Sequence, residues 1–178
     1  MNEKFEGKKI DSIETSNKKR EELLDRYVNP HNKNSRLVTK DDLPRVLEES
    51  HILYNLCFVG NSKFKGGLAV AHPQIDDKDP LQLFVTKSKK IVINPYFVRH
   101  TQNTVDSLEG CLTFPDEEMV IVQRWNKCEV KYYTIEGDGE KMIEMVENLS
   151  GREAKVFQHE MQHFIIPPYE NPYIYDLE

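Results

Sequence analysis

No apolar run in this chain approaches the roughly 18 to 20 residues that a membrane span needs, so no membrane helix is expected. The opening residues, Met1-Asn2-Glu3-Lys4-Phe5-Glu6, lack the apolar core of a secretory signal. Cysteine is scarce. Cys57, Cys111 and Cys128 cannot all pair within one chain. They fit a reducing, cytoplasmic setting, where an isolated Cys is core filler, a metal ligand or a nucleophile. A basic excess is also missing: 24 Lys and Arg stand against 30 Asp and Glu, a formal charge of −6. A surface that tracks phosphates needs clustered cations, so no direct nucleic-acid binding is expected. Internal repeats and low-complexity tracts are absent.

What remains is an ordinary globular composition. With 178 residues, 38% hydrophobic and 30% charged, the chain is expected to fold as a single domain over 1–178, with 1–40 a variable polar segment. Ile10 to Val28 has the charge of a short solvated helix, and Asn29-Pro30-His31-Asn32 signals a loop. A helix is predicted from Asp41 to Phe58, started by Thr39 and Asp42 and tolerant of Pro44 in its first turn. Leu43, Val46, Leu47, Tyr54 and Cys57 would form its apolar face. Leu81–Val85 and Ile91–Asn94 read as strands, the second ended by Pro95. Lys87-Ser88-Lys89-Lys90 is a solvated turn between them. Met119–Gln123 is a further apolar run. Cys128–Ile135 alternates and turns back through Gly137-Asp138-Gly139 into Lys141–Val146 as a hairpin, which makes Cys128 a packing residue. Tyr173–Leu177 reads as an edge strand or a packed tail.

A last helix is signalled by Ser150 followed by Glu153, an S-x-x-E capping box. At 100° per residue, Ala154, Phe157, Met161 and Phe164 share one side; Val156, His159, Glu160 and His163 share the other. This second side carries His159-Glu160-Met161-Gln162-His163. Histidines four apart on a helix can reach one metal ion, and the Glu beside them can take a proton from a metal-activated water. Such a site needs a third ligand. Glu170 and Glu178 lie downstream, while Cys111 lies upstream in Glu109-Gly110-Cys111-Leu112. A thiolate with two imidazoles suits a borderline-soft divalent metal.

Taken in order, three segments resemble the peptide deformylase family, whose motifs are Gly-x-Gly-x-Ala-Ala-x-Gln, Glu-Gly-Cys-Leu and His-Glu-x-x-His. The second and third are present as quoted, the third preceded by Gln158. The first is present in altered form as Gly67-Leu68-Ala69-Val70-Ala71-His72-Pro73-Gln74. The resemblance covers roughly residues 40 to 166 and implies an α+β fold with β-sheets packed around a central metal-binding helix. It implies Cys111, His159 and His163 as ligands of one divalent metal, Fe(II) foremost, with Zn, Ni or Co able to substitute. Glu160 would be the general base, with Gln74 and the Leu112 backbone N–H donating to the oxyanion. Gly67, Leu68, Ala69, Gly110 and Val156 would contact substrate. The implied activity removes the formyl group from the N-terminal methionine of newly made proteins and releases formate. The implied partners are formylated nascent peptides near the ribosome. A metal hydrolase with a changed substrate, or a non-catalytic peptide binder on the same fold, are the alternatives.

Several positions depart from the family pattern. Ala69 replaces the second Gly and puts a Cβ where a substrate backbone approaches. His72 replaces the second Ala; it is expected either to be a partly exposed ring beside Pro73 or to disturb the packing behind Gln74. Gln162 replaces an Asp within the metal motif, and Asp116-Glu117-Glu118 replace a basic residue after the second motif. Arg124 matches a later family Arg or serves the surface. The acidic C-terminal tail offers no basic helix for docking on a ribosome.

Overall fold

The computed structural model describes residues 34–60, 66–113, 119–136 and 141–165. The helix expected over 10–28, the loop at 29–32, the turn at 137–139, the acidic run 116–118 and the tail 173–177 lie outside them. Among the described residues, seven strands and two α-helices follow one another as α1 (Leu43–Val59), β1 (Ala69–Ala71), β2 (Leu83–Thr86), β3 (Ile91–His100), β4 (Thr104–Glu109), β5 (Val120–Trp125), β6 (Lys127–Glu136), β7 (Lys141–Ser150) and α2 (Gly151–Gln162). Five strands form one antiparallel sheet in the order β1-β2-β3-β6-β7, and β4 pairs with β5 alone. The fold is α+β.

Helices cover both faces of the larger sheet, and the strand sequences show why. Val70, Leu83, Val85 and Ile93 pack with Val46, Leu53, Leu56 and Cys57 of α1. Their neighbours Ala69, Ala71, Phe84 and Val92 pack with Ala154, Phe157, Met161 and Phe164 of α2. Alternate side chains leave a strand on opposite faces, so Leu83-Phe84-Val85 is apolar throughout because each face meets a helix. Phe84 meets Phe157 edge-on, with ring centroids 4.9 Å apart at 87°, a favoured aromatic geometry. Cys57 and Cys128 sit in these two cores, and burial raises both thiols to about 11.

The α1 face is drawn from Leu43, Val46, Ser50, Leu53, Leu56 and Cys57, with Leu47 and Tyr54 only half buried. Thr39 donates from its N–H and its hydroxyl to Asp42, but this closes a 3-10 turn over Lys40–Asp42 that precedes α1. Pro95 does not end β3. The register shifts between Ile93 and Tyr96, so the proline falls at a bulge where no ladder N–H is required. Asn94 supports the bulge at φ 50° while its amide bonds both the N–H and the carbonyl of Val38. Ser150 stands before α2 as expected, but the capping box does not form: Glu153 instead pairs with Lys90 at 2.5 Å. Lys90 also pairs with Glu147, so this end of the lysine run is tied to two elements.

No helix among the described residues is long and apolar enough to cross a membrane.

Candidate metal centre and cleft

Helix α2 runs between the larger sheet and the β4–β5 ribbon, so both of its sides are enclosed. Gln158 holds it to the ribbon. Its Oε1 accepts from the Trp125 N–H at 2.8 Å and its Nε2 donates to the Trp125 carbonyl at 2.9 Å. The side chain thus continues the hydrogen bonding of a strand edge onto a helix. That brings His159 and His163 against Cys111, which follows β4. The candidate ligand atoms of Cys111, His159 and His163 all lie within 4.8 Å of one another, and Cys111 Sγ is 3.5 Å from His163 Nε2. Bonds of roughly 2.3 Å to sulfur and 2.0 Å to nitrogen in a tetrahedral centre need that order of separation. The donor set and its spacing fit a divalent metal.

Behind the ligands stands a buried relay. His159 Nδ1 is 2.9 Å from Glu109 Oε2, which leaves Nε2 for a metal. Arg124 grips the same carboxylate with two bonds, of 2.9 and 2.7 Å, and is itself only 1% exposed. The surface alternative for Arg124 is therefore overturned. Burial opposes the charge on Glu109, but Arg124 and His159 outweigh it and hold the pKa at about 2. Its contribution to stability is present above pH 4.5 and is lost as pH falls through 2.

Glu109 shows in the sequence only as part of the Glu-Gly-Cys-Leu motif, and its tie to Arg124 has no local signal. The pairing depends on strand register: opposite residues Val105–Arg124, Ser107–Val122 and Glu109–Val120 share the inner face of the ribbon. Gln162 is fully buried, so the family's Asp position is filled by a neutral amide within the protein.

Burial opposes a charge on His159, but hydrogen bonds with Cys111 and Glu109 and the nearby carboxylates outweigh it and hold the ring up at about 10. A metal must displace that proton. Affinity for Zn(II) or Ni(II) is thus expected to rise by at least about tenfold per pH unit between pH 6 and 8. A dissociation constant that stays flat across that range, measured by competition with a chelator of known pH response, would contradict this.

A cavity of about 870 Å³ opens beside the centre. Its lining includes Gly67, Leu68, Ala69 and Gln74 from the β1 segment; Gly110, Cys111 and Leu112 after β4; and Val156, His159 and Glu160 from α2. All the substrate-contact and catalytic candidates thus border one space, while His163 lies buried behind it. Glu160 is 4% exposed, its Oε2 has no hydrogen-bond partner among the described residues, and burial pushes its pKa up to about 7. Gln74, in the 3-10 turn that follows β1, is oriented by the end of that strand: the Ala71 N–H donates to Oε1 at 2.8 Å, turning Nε2 toward Thr113 Oγ1 at 3.0 Å. A Cβ at Gly67 would stand 3.0 Å from Leu112 Cδ1, so a side chain there would require the Leu112 side chain to give way by a few tenths of an ångström. Ala69 lines the cavity while packing into the core with Phe84 and Phe157.

The half-exposed expectation for His72 is wrong. The ring is fully buried. Its Nδ1 accepts from the Leu81 N–H at 3.1 Å, which leaves the proton on Nε2, 2.6 Å from Glu49 Oε2. Glu49, His72 and Asp76 form a second group with ligand-type atoms within 4.8 Å. Arg45, bonded to both Glu49 and Asp76, already supplies the positive charge there. The group braces the turn carrying Gln74. His72→Ala is expected to destabilise the fold by about 2–4 kcal/mol, since it leaves a cavity and unpaired buried groups. An unchanged urea midpoint would refute that role.

Two imidazoles, a thiol and a neighbouring carboxylate at the floor of a cleft are the groups that hydrolytic metal sites use. Residues 27–165 match the model of the polypeptide deformylase family, and the chain belongs to that family. It is 34% identical over 98 residues to a peptide deformylase of Thermotoga neapolitana, covering 54% of this chain and 56% of that protein. It is 33% identical over 96 residues to one of Brachyspira hyodysenteriae, covering 54% and 46%. The match thus spans about half the length of these curated relatives. The crystal structure of peptide deformylase from Thermotoga maritima superposes with a TM-score of 0.61 at 27% identity, over 80% of this chain and 84% of that one. A Plasmodium falciparum peptide deformylase bound to an inhibitor gives 0.58 at 25% identity, over 80% and 77%.

Proposed function

We propose that this chain is a metal-dependent hydrolase that removes the formyl group from the N-terminal methionine of newly made proteins in the cytoplasm. The observation that carries the reading is the Cys111, His159 and His163 cluster with Glu160 beside it in one cleft. A single divalent cation, Fe(II) foremost and Zn, Ni or Co as substitutes, would be held by those three residues and supply Lewis acidity and an acidified water. Glu160 takes the proton of the attacking water and returns it to the departing amine; its position near neutrality suits both roles. Gln74 Nε2 and the Leu112 N–H donate to the formyl oxygen as charge develops on it. An extended peptide lies along Gly67, Leu68 and Ala69 opposite Gly110, with the first side chain toward Leu68 and Val156. The substrates are formylated nascent peptides, met close to the ribosome.

The test is formate release from formyl-Met-Ala-Ser by protein loaded anaerobically with Fe(II), Ni(II) or Co(II). Release that requires the loaded metal supports the reading. No release with any of the three overturns it in favour of a changed substrate or a peptide-binding role.

A further inference from the structure

The two donors assigned to the developing oxyanion come from different parts of the chain. Gln74 lies in the 3-10 turn after β1, and Leu112 follows Cys111 beyond the end of β4. Such donors act together only when each stands about 2.7–3.1 Å from one oxygen position, so the gap between the two segments has to be fixed. Leu112 contributes its backbone N–H, whose direction the chain itself sets. Gln74 contributes the end of a flexible side chain, and its direction depends on what the amide is bonded to.

The chemistry of the partners settles which way round that amide sits. The Ala71 N–H can only donate, so the atom 2.8 Å from it is the oxygen Oε1, and the flipped amide is excluded. Nε2 is then the atom 3.0 Å from Thr113 Oγ1, and it donates to the hydroxyl oxygen. Gln74 is 6% exposed and Thr113 7%, so water competes little for this bond. Gln74 borders the cavity and Thr113 does not. Thr113 is the residue next to Leu112, so the bond fastens Gln74 to the short segment that carries both the Leu112 N–H and the Cys111 thiol.

We propose that Thr113 is a positioning residue for deformylation: its hydroxyl oxygen takes one proton of the Gln74 amide and so aims the other at the oxygen position served by the Leu112 N–H. A primary amide is planar and carries two N–H protons, so fixing one N–H direction and the oxygen fixes the second N–H as well. Thr113 touches neither the substrate nor the metal ligands in this role, and acts through Gln74. The inference rests on the hydrolase reading and deepens it. Without the hydroxyl, the Gln74 amide is held only at its oxygen end and can swing away from the Leu112 N–H. The formyl oxygen then meets one aligned donor in place of two.

Two variants divide the threonine side chain. Thr113→Val keeps its shape and loses the acceptor, while Thr113→Ser keeps the acceptor and loses the methyl group. With metal-loaded full-length protein and formyl-Met-Ala-Ser, Thr113→Val is expected to lower kcat by about 10- to 100-fold, the scale of a misplaced catalytic group. KM and metal content are expected to stay near the wild-type values, since the contact at stake strengthens only in the transition state. Thr113→Ser is expected to recover most of the loss. In a Gln74→Ala background the Val substitution is expected to add little, because the group it positions is gone. A Val variant as active as wild type, a Ser variant as poor as Val, or Val and Gln74→Ala effects that multiply would each overturn the proposal. If the wild type cleaves no formyl peptide, the hydrolase reading fails by itself, and the hold on Gln74 is judged by NMR of its side-chain amide, assigned by its disappearance in Gln74→Ala. Amide signals that move in Thr113→Val and not in Thr113→Ser uphold the hold, and signals unmoved in Thr113→Val overturn it.

Discussion

Glu160→Gln is expected to lower formate release from formyl-Met peptides by about 10³-fold while one divalent metal per chain remains bound. The two side chains have nearly the same shape, so the helix and the ligand geometry persist. What is lost is the ability to accept a proton and hand it on, a function worth roughly 10² to 10⁴ in rate. Glu160 is suited to that function because burial raises its carboxyl to about 7 and leaves Oε2 without a partner among the described residues. A variant within tenfold of wild type would remove Glu160 from the chemistry. Loss of metal from this variant would instead make it a structural support.

Cys111→Ser is expected to weaken metal binding by more than about 100-fold, the upper range for disturbing groups that only support a ligand. A serine hydroxyl keeps its proton near neutral pH and is a harder donor than a thiolate, so two imidazoles are left to hold the ion. The fold should survive, since Cys111 lies outside both core clusters. Metal content by elemental analysis after gel filtration reads the effect directly. Full retention with an unchanged thermal midpoint would take Cys111 out of the centre.

The parts of the fold that were legible in the sequence are those whose surroundings repeat their own period. Helix α2 shows its core side in Ala154, Phe157, Met161 and Phe164 because that side meets a purely apolar sheet face. Strand β6 alternates because one of its faces packs on α2. Strand β4 was missed for the opposite reason. Its inner face carries Ser107 and Glu109, while Leu108 and its partner Ile121 stand outward at 61% and 69% exposure. The apolar period is thus inverted by a site that needs polar groups inside. Pro95 misled in a similar way, since a bulge removes the hydrogen bond that a proline would break.

For the candidate centre, local spacing was enough to place the two histidines together on one helix, with Glu160 beside them, because a helix converts a separation of four residues into one face. The motif order pointed to Cys111 as their companion. Linear order could not reveal that His72 is buried and braced by Glu49, that Arg124 and Glu109 form a paired charge behind His159, or that Arg152 borders the cleft. Each of those depends on the register of a ribbon or the docking of a helix, which set distances between residues far apart in the chain. The residue types for metal chemistry are written in order along the chain; their partners, burial and proton affinities arise only when α2 is enclosed between the sheet and the β4–β5 ribbon.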